Sequence, residues 1–260
     1  LIPGGVSTFS KARSQYSANA PEALVSGLRA HVYAQDGREF IDWTMGLGAV
    51  SLGYNDRHVI DNVIFAARYG PIFGLSHPFE TEFAKELVPL LPWRDTMVKY
   101  GKNGSDATEG AIRAARHLTG RDRIISLGYH GWLSTCPNKN GIPESAQRLV
   151  GEHVWRRVVD RPAAVIVEPD LIPDENLRKI REQCTQTETL LIFDEVLTGF
   201  RTPGFTWAAK SGVRPDLICL GKAIANGWPL SVIAGPRKYM DVFAGAIGYS
   251  MTFGGETTSL

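Results

Sequence analysis

Four stretches of this 260-residue chain carry residue types that do chemistry when a fold gathers them. The first is Leu220-Gly221-Lys222, a lysine just past a short apolar run. Such a lysine is either a surface residue with its stem laid on apolar atoms or a functional amine. Burial and nearby positive charge lower an amine's pKa, and Schiff-base chemistry requires that. The second is Phe193-Asp194-Glu195-Val196, which ends another apolar run. An unpaired buried carboxylate is very costly, so an acid at a buried strand end needs a partner. A protonated ring nitrogen, a salt bridge or a metal would serve. No histidine stands nearby at ligand spacing, so no metal site is expected.

Third comes Gly101-Lys102-Asn103-Gly104-Ser105-Asp106, between a strand-like and a helix-like stretch. Small residues let backbone N–H groups approach a phosphate, and the following helix adds free amides and a favourable dipole. Taken alone, the stretch reads better as an ordinary glycine turn with Ser105 as a helix cap. The stretch is neither a P-loop nor a G-x-G-x-x-G fingerprint. The fourth is Tyr129-His130-Gly131, where an aromatic could stack on a flat ring and the histidine could fix that geometry. A core-edge tyrosine beside a hydrogen-bonded histidine is the plainer alternative. The four together say more than any one alone, because each follows its own strand-like run.

The elements that must position them alternate along the chain. Residues 96–100, 123–127, 163–167, 190–193, 217–220 and 231–234 are short, aliphatic and β-branched, and read as strands. Residues 56–69, 82–91, 106–118 and 175–184 have helical apolar spacing. Continuous apolar strands are buried on both faces, which predicts an α/β fold with a mostly parallel sheet between helix layers. In such sheets ligands bind beyond the carboxyl ends of the strands. Before this region, residues 31–33 and 39–43 flank a D-G turn and read as a hairpin. Residues 1–30 read as polar and irregular.

Composition bounds the rest. Hydrophobic residues at 43% and a net charge of +1 describe an ordinary globular chain with no electrostatic footprint for nucleic acid or a membrane surface. No apolar run is long enough to span a bilayer. Cys136, Cys184 and Cys219 are odd in number and widely spaced, as free thiols in a reducing compartment would be. A cytoplasmic location is expected.

The sequence resembles the class III, ornithine- and acetylornithine-type aminotransferases, and within them the glutamate-1-semialdehyde aminomutase branch. The residues that carry the resemblance are Ile2-Pro3-Gly4-Gly5-Val6, Leu52-Gly53-Tyr54-Asn55, 102–107, Tyr129-His130-Gly131-Trp132, Glu168-Pro169, 194–201 and 220–229. The spacing from Asp194 to Lys222 also matches. The resemblance implies the aspartate-aminotransferase-like fold type I, with seven strands in the sheet, and pyridoxal 5'-phosphate as cofactor. It implies that Lys222 carries the cofactor as a Schiff base and that Asp194 pairs with its pyridine nitrogen. Tyr129 and Val196 would pack on its two faces, with His130 beside them. Asn103, Gly104 and Ser105 would hold its phosphate. Glu168 is implied near the Asp194 end or the substrate side. Thr252 is implied to reach the phosphate of a partner subunit, in a homodimer with shared active sites.

The chain departs from that pattern at Leu47, at Leu197 and in Gly254-Gly255-Glu256-Thr257-Thr258, and the stretch between His130 and Glu168 reads as short. Residues 1–50 are expected to belong to a small domain and 51–260 to a large cofactor-binding domain, with a C-terminal small domain absent from these residues. The expected activity is movement of an amino group on a small amine or amino-acid-like substrate, either transamination or aminomutation. The same residues would also serve decarboxylation or another cleavage at Cα. A non-catalytic relative and a nucleotide-binding α/β protein are the other readings, and the last leaves Lys222 and Asp194 without a role.

Overall fold

The computed structural model describes residues 1–151 and 161–260. Three strands near the N-terminus, β1 (Leu24–Leu28), β2 (His31–Ala34) and β3 (Glu39–Ile41), form an antiparallel sheet of their own. The hairpin falls where the D-G turn placed it. Strand β1, in the stretch expected to be irregular, corrects the sequence reading. Its residues are almost all exposed, so no apolar alternation marks it, and pairing with β2 makes it a strand. A single turn, α1 (Met45–Gly48), leads to α2 (Arg57–Tyr69), whose first turn is capped by the Asp56 side chain accepting from Val59 N–H at 3.2 Å.

Helix α3 (Pro78–Leu87) starts four residues earlier than its apolar pattern suggests. His77 Nδ1 accepts from Phe79 N–H, and the Glu80 carboxylate accepts from His77 N–H, both at 3.2 Å. A histidine cap is not a pattern that sequence reading looks for.

The main sheet follows with β4 (Thr96–Gly101), β5 (Ile124–Leu127), β6 (Val150–Gly151), β7 (Ala164–Val167), β8 (Leu190–Glu195), β9 (Leu217–Leu220) and β10 (Ser231–Pro236). Between them lie α4 (Gly104–Thr119), α5 (Glu144–Gln147), α6 (Asp174–Thr187) and α7 (Trp207–Ser211), and α8 (Arg237–Met240) follows β10. The strand order is β4-β10-β9-β8-β7-β5-β6. Strand β10 runs antiparallel to both its neighbours, while the other pairs are parallel. Consequently β4, β9, β8, β7 and β5 all end on the same edge.

Side-chain alternation then builds two cores. Val165, Val167, Leu191, Phe193, Ile218, Leu220, Val232 and Ala234 face one way, towards Leu177, Ile180 and Cys184 of α6 and Leu87 of α3. Ala164, Ile166, Ile192, Leu217, Cys219 and Ile233 face the other, against Ala107, Ala111, Ile112, Ala114 and Ala115 of α4. The alanine-rich face of α4 permits a close approach. A Cβ on Gly110 would stand only 2.5 Å from Ile233 Cδ1. Burying each Val, Ile or Leu contributes roughly 1.5–3 kcal/mol, so this double-faced core fixes the strand ends on which the candidate residues sit.

Candidate active site

Parallel register decides what lies beside what. Val167 pairs with Phe193 and Asp194 with Cys219, so the residues after β7, β8 and β9 form one continuous edge. Glu168 continues β7, with its N–H donating to Leu127 O at 3.1 Å. Lys222 begins two residues beyond the end of β9, with φ at 47°. The left-handed region is unusual for a residue with a Cβ, and such strain gathers at functional sites. Burial holds the Lys222 amine below its usual pKa; the nearby Asp194 and Glu168 carboxylates oppose that shift and the Arg201 guanidinium assists it.

Asp194 is buried and fully engaged. Its Oδ2 lies 2.8 Å from His130 Nδ1, and its Oδ1 accepts from Val196 N–H at 3.1 Å. His130 is also buried, and its Nε2 has no hydrogen-bond partner among the described residues. The loop that carries it is tied to α4, because Thr108 Oγ1 donates to His130 O at 2.7 Å and Trp132 N–H donates to Ser105 Oγ at 3.3 Å. Gly131, with φ at 102°, crosses so near Ser105 that a Cβ there would overlap its hydroxyl. The Tyr129 ring is 59% exposed, and its backbone N–H donates to the Glu168 carboxylate. Burial raises the Glu168 pKa, and the Asp194 charge adds to that rise.

The glycine loop reaches the same place from β4. The Asp106 carboxylate accepts from Lys102 N–H at 3.0 Å and from Asn103 N–H at 2.7 Å. Asp106 N–H and Ala107 N–H turn onto Asn103 O, which leaves the amides of Gly104 and Ser105 at the open end of α4. A Cβ on Gly104 would stand 2.7 Å from Val196 Cγ1, and one on Gly221 would stand 3.1 Å from the same atom. Val196 is therefore wedged between the glycine loop and the backbone that precedes Lys222. These contacts bring Asn103, Gly104, Ser105, Tyr129, His130, Glu168, Asp194, Val196 and Lys222 together on one edge. Thr252 is exposed, and among the described residues no hydrogen bond joins it to the others.

Sequence reasoning left several residues without a role. Lys102 is turned away from the helix end: its Nζ bonds Glu256 Oε1 at 2.6 Å and Ser259 Oγ at 3.3 Å. Glu195, next to Asp194, is completely buried and accepts from the amides of Trp207 at 2.5 Å and Ala208 at 3.4 Å, so it organises the start of α7. Asn226 accepts from Leu52 N–H at 2.8 Å and donates to Gly53 O at 3.1 Å. Arg201 donates to Gly48 O at 2.5 Å. Asn226 and Arg201 both sit inside motifs that carried the resemblance, but only the folded chain discloses what they hold. Among the described residues no cluster of His, Cys, Asp and Glu could hold a metal, and no helix is long and apolar enough to cross a membrane. The stretch expected to be short, 132–162, lies partly outside the described residues.

A mostly parallel seven-stranded sheet, with a lysine and an aspartate at neighbouring strand ends and a glycine loop opening a helix, is the architecture of a fold type I transferase. The comparisons narrow this further. The family model for aminotransferase class-III matches residues 17–154 and 138–259, and the chain belongs to that family. It is 35% identical to glutamate-1-semialdehyde 2,1-aminomutase 2 of Shouchella clausii, over 94% of this chain and 64% of that protein. It is 32% identical to the 3-aminobutyryl-CoA aminotransferase of Cloacimonas acidaminovorans, over 97% of this chain and 66% of the other. Among solved structures it superposes on a transaminase with pyridoxal phosphate bound, with a TM-score of 0.90 and 26% identity, over 100% of this chain and 68% of that one. An omega-transaminase from Sphaerobacter thermophilus gives a TM-score of 0.89 at 25% identity, again over 100% and 68%. The chain thus spans about two thirds of the length of these relatives.

Proposed function

We propose that this chain is the cofactor-binding part of a pyridoxal-phosphate enzyme that moves an amino group, by transamination or aminomutation. The observation that carries the proposal is the edge on which Lys222, Asp194 and the open end of α4 meet. The residues present fit the cofactor. The free helix end and Ser105 offer amide and hydroxyl donors to a phosphate, with Asn103 beside them. Tyr129 offers an open aromatic face for a ring, and Val196 a second apolar surface. His130, with its unpartnered Nε2, braces the carboxylate that would face the ring nitrogen.

When bound, pyridoxal phosphate supplies an electron-withdrawing ring that delocalises charge left on a substrate carbon. The protein's own residues do the rest. Lys222 would hold the cofactor through Nζ, whose lowered pKa leaves a larger share of it uncharged and nucleophilic near neutral pH. A free Lys222 Nζ would be the base that takes the proton from the amine-bearing carbon and the acid that delivers it to a second carbon, a transfer that close positioning makes effectively intramolecular. Asp194 is oriented through His130 and the Val196 amide, so it is placed to pair with a protonated ring nitrogen. Glu168, bonded to the Tyr129 amide, is proposed to act near the Asp194 end or on the substrate side.

Residues 1–50 are proposed to be part of a small domain and 51–260 the large cofactor-binding domain. The functional unit is proposed to be a homodimer, with exposed Thr252 turned to the partner's phosphate site. Three unpaired thiols fit a reducing compartment, and the cytoplasm is the proposed location. The substrate class is a small amine or amino acid.

Half-reactions test the reaction class. An amino donor added alone should convert the bound cofactor to its aminated form, read by its absorption spectrum, with no carbon dioxide released. Release of carbon dioxide with an unchanged cofactor spectrum would favour decarboxylation instead.

A further inference from the structure

Four consecutive residues, Met45, Gly46, Leu47 and Gly48, have φ of 50°, 59°, 62° and 81°. Two of them carry side chains, which the left-handed region disfavours. Something must hold the turn in place. On one side Asp42 does so: Oδ1 accepts from Thr44 N–H at 3.0 Å and Thr44 Oγ1 at 2.6 Å, while Oδ2 accepts from Gly46 N–H at 2.9 Å and the Tyr54 hydroxyl at 2.6 Å. On the other side stands Arg201. Its Nη2 donates to Gly48 O at 2.5 Å, its Nη1 lies 3.9 Å from Met45 Sδ, and its Nε is buried without a partner. A Cβ on Gly48 would stand 2.5 Å from Leu197 Cδ1, 3.3 Å from Arg201 Nη2 and 3.8 Å from Lys222 Cδ. Gly48 therefore bonds the guanidinium and lies close enough to the lysine stem that a Cβ there would meet it.

We propose that Arg201 is a positioning residue for Lys222: it clasps the left-handed turn so that Gly48 covers the lysine stem and keeps water from it. The inference rests on Lys222 being the cofactor-bearing amine. It gives a role to a strained segment about 150 residues away in sequence, which nothing else in the site requires. It also explains Gly48, since a Cβ there would overlap Leu197 Cδ1 on a backbone already at φ 81°. The charged groups facing Lys222 are Asp194 at the end of β8, Glu168 after β7 and Arg201 in the loop after β8. The two carboxylates favour the charged amine; burial and Arg201 oppose it.

Two measurements on the full chain without added cofactor test this. Competitive acetylation with peptide mass mapping reads the pH midpoint of Lys222, and hydrogen exchange reads the amides of residues 45–48. Arg201→Gln should raise the Lys222 midpoint by about one pH unit and speed exchange of the turn by tenfold or more. Arg201→Lys keeps the charge but not the two-pronged contact, so the midpoint should move less while exchange remains fast. Gly48→Ala, which leaves Arg201 in place, should reproduce both effects by dislodging the turn, and it serves if Arg201→Gln does not fold. Faster exchange with an unmoved midpoint in these variants would reduce Arg201 to a structural residue and overturn the proposal, as would no change in either. Whether Lys222 takes up pyridoxal phosphate is read separately on the unaltered protein, so failure of that reading is not confused with failure of this one.

Discussion

Asp194 uses both carboxylate oxygens inside the chain, one towards the His130 ring and one towards the Val196 amide. Hydrogen bonds to an ionised acceptor are worth roughly twice those between neutral groups, so this carboxylate is pinned before anything binds. Asp194→Asn should keep the His130 contact but lose the charge, and turnover should fall by about 10²–10³-fold in steady-state kinetics. A change of less than threefold would remove Asp194 from the mechanism. Lys222 and Asp194 were legible in the sequence because each ends an apolar run, where a charged residue needs a reason. The partner of His130 was not legible, since it depends on a loop crossing above α4. Arg201 was harder still: its contact, Gly48, lies 153 positions away.

At the scale of elements, one long-range tie holds the glycine loop. The Lys102–Glu256 pair, largely buried, joins the end of β4 to the last residues described, with Ser259 and Thr258 completing the acceptor's bonds. Lys102→Ala would leave Glu256 buried without its cation, and chemical denaturation should show a loss of about 3 kcal/mol. Lys102→Met with Glu256→Gln should recover much of it, and a double mutant as unstable as the single would contradict this view. The sequence disclosed six of the seven strands of the main sheet to within two residues at each end, because burial makes them largely apolar, but missed the two-residue β6. Strand β8 ran two residues longer than read, to Glu195, since polar side chains hide the continuation of a strand. The departure Gly254-Gly255-Glu256-Thr257-Thr258 also gains a physical reason, because Glu256 there answers Lys102.

For the molecule as a whole, Glu195 sets a pH dependence of stability. It is completely buried at the head of α7, and burial pushes its pKa up to about 7. The native state then holds a proton that the unfolded chain, with an ordinary carboxyl near 4.5, releases earlier. The contribution is therefore fully present below about pH 4.5 and is lost as pH rises towards 7. Glu195→Gln should abolish this trend, gaining about 3 kcal/mol relative to the unaltered protein between pH 5 and pH 8 in parallel denaturation curves. Curves that stay parallel across that range would contradict the assignment. The central claim is that Lys222 is the cofactor-bearing residue of this class-III aminotransferase chain. Its most direct test is borohydride reduction after incubation with pyridoxal phosphate, followed by peptide mass mapping. The account predicts the phosphopyridoxyl mass on the Lys222 peptide and its absence in Lys222→Ala; an unmodified Lys222 peptide, or the same mass on another lysine, would contradict it.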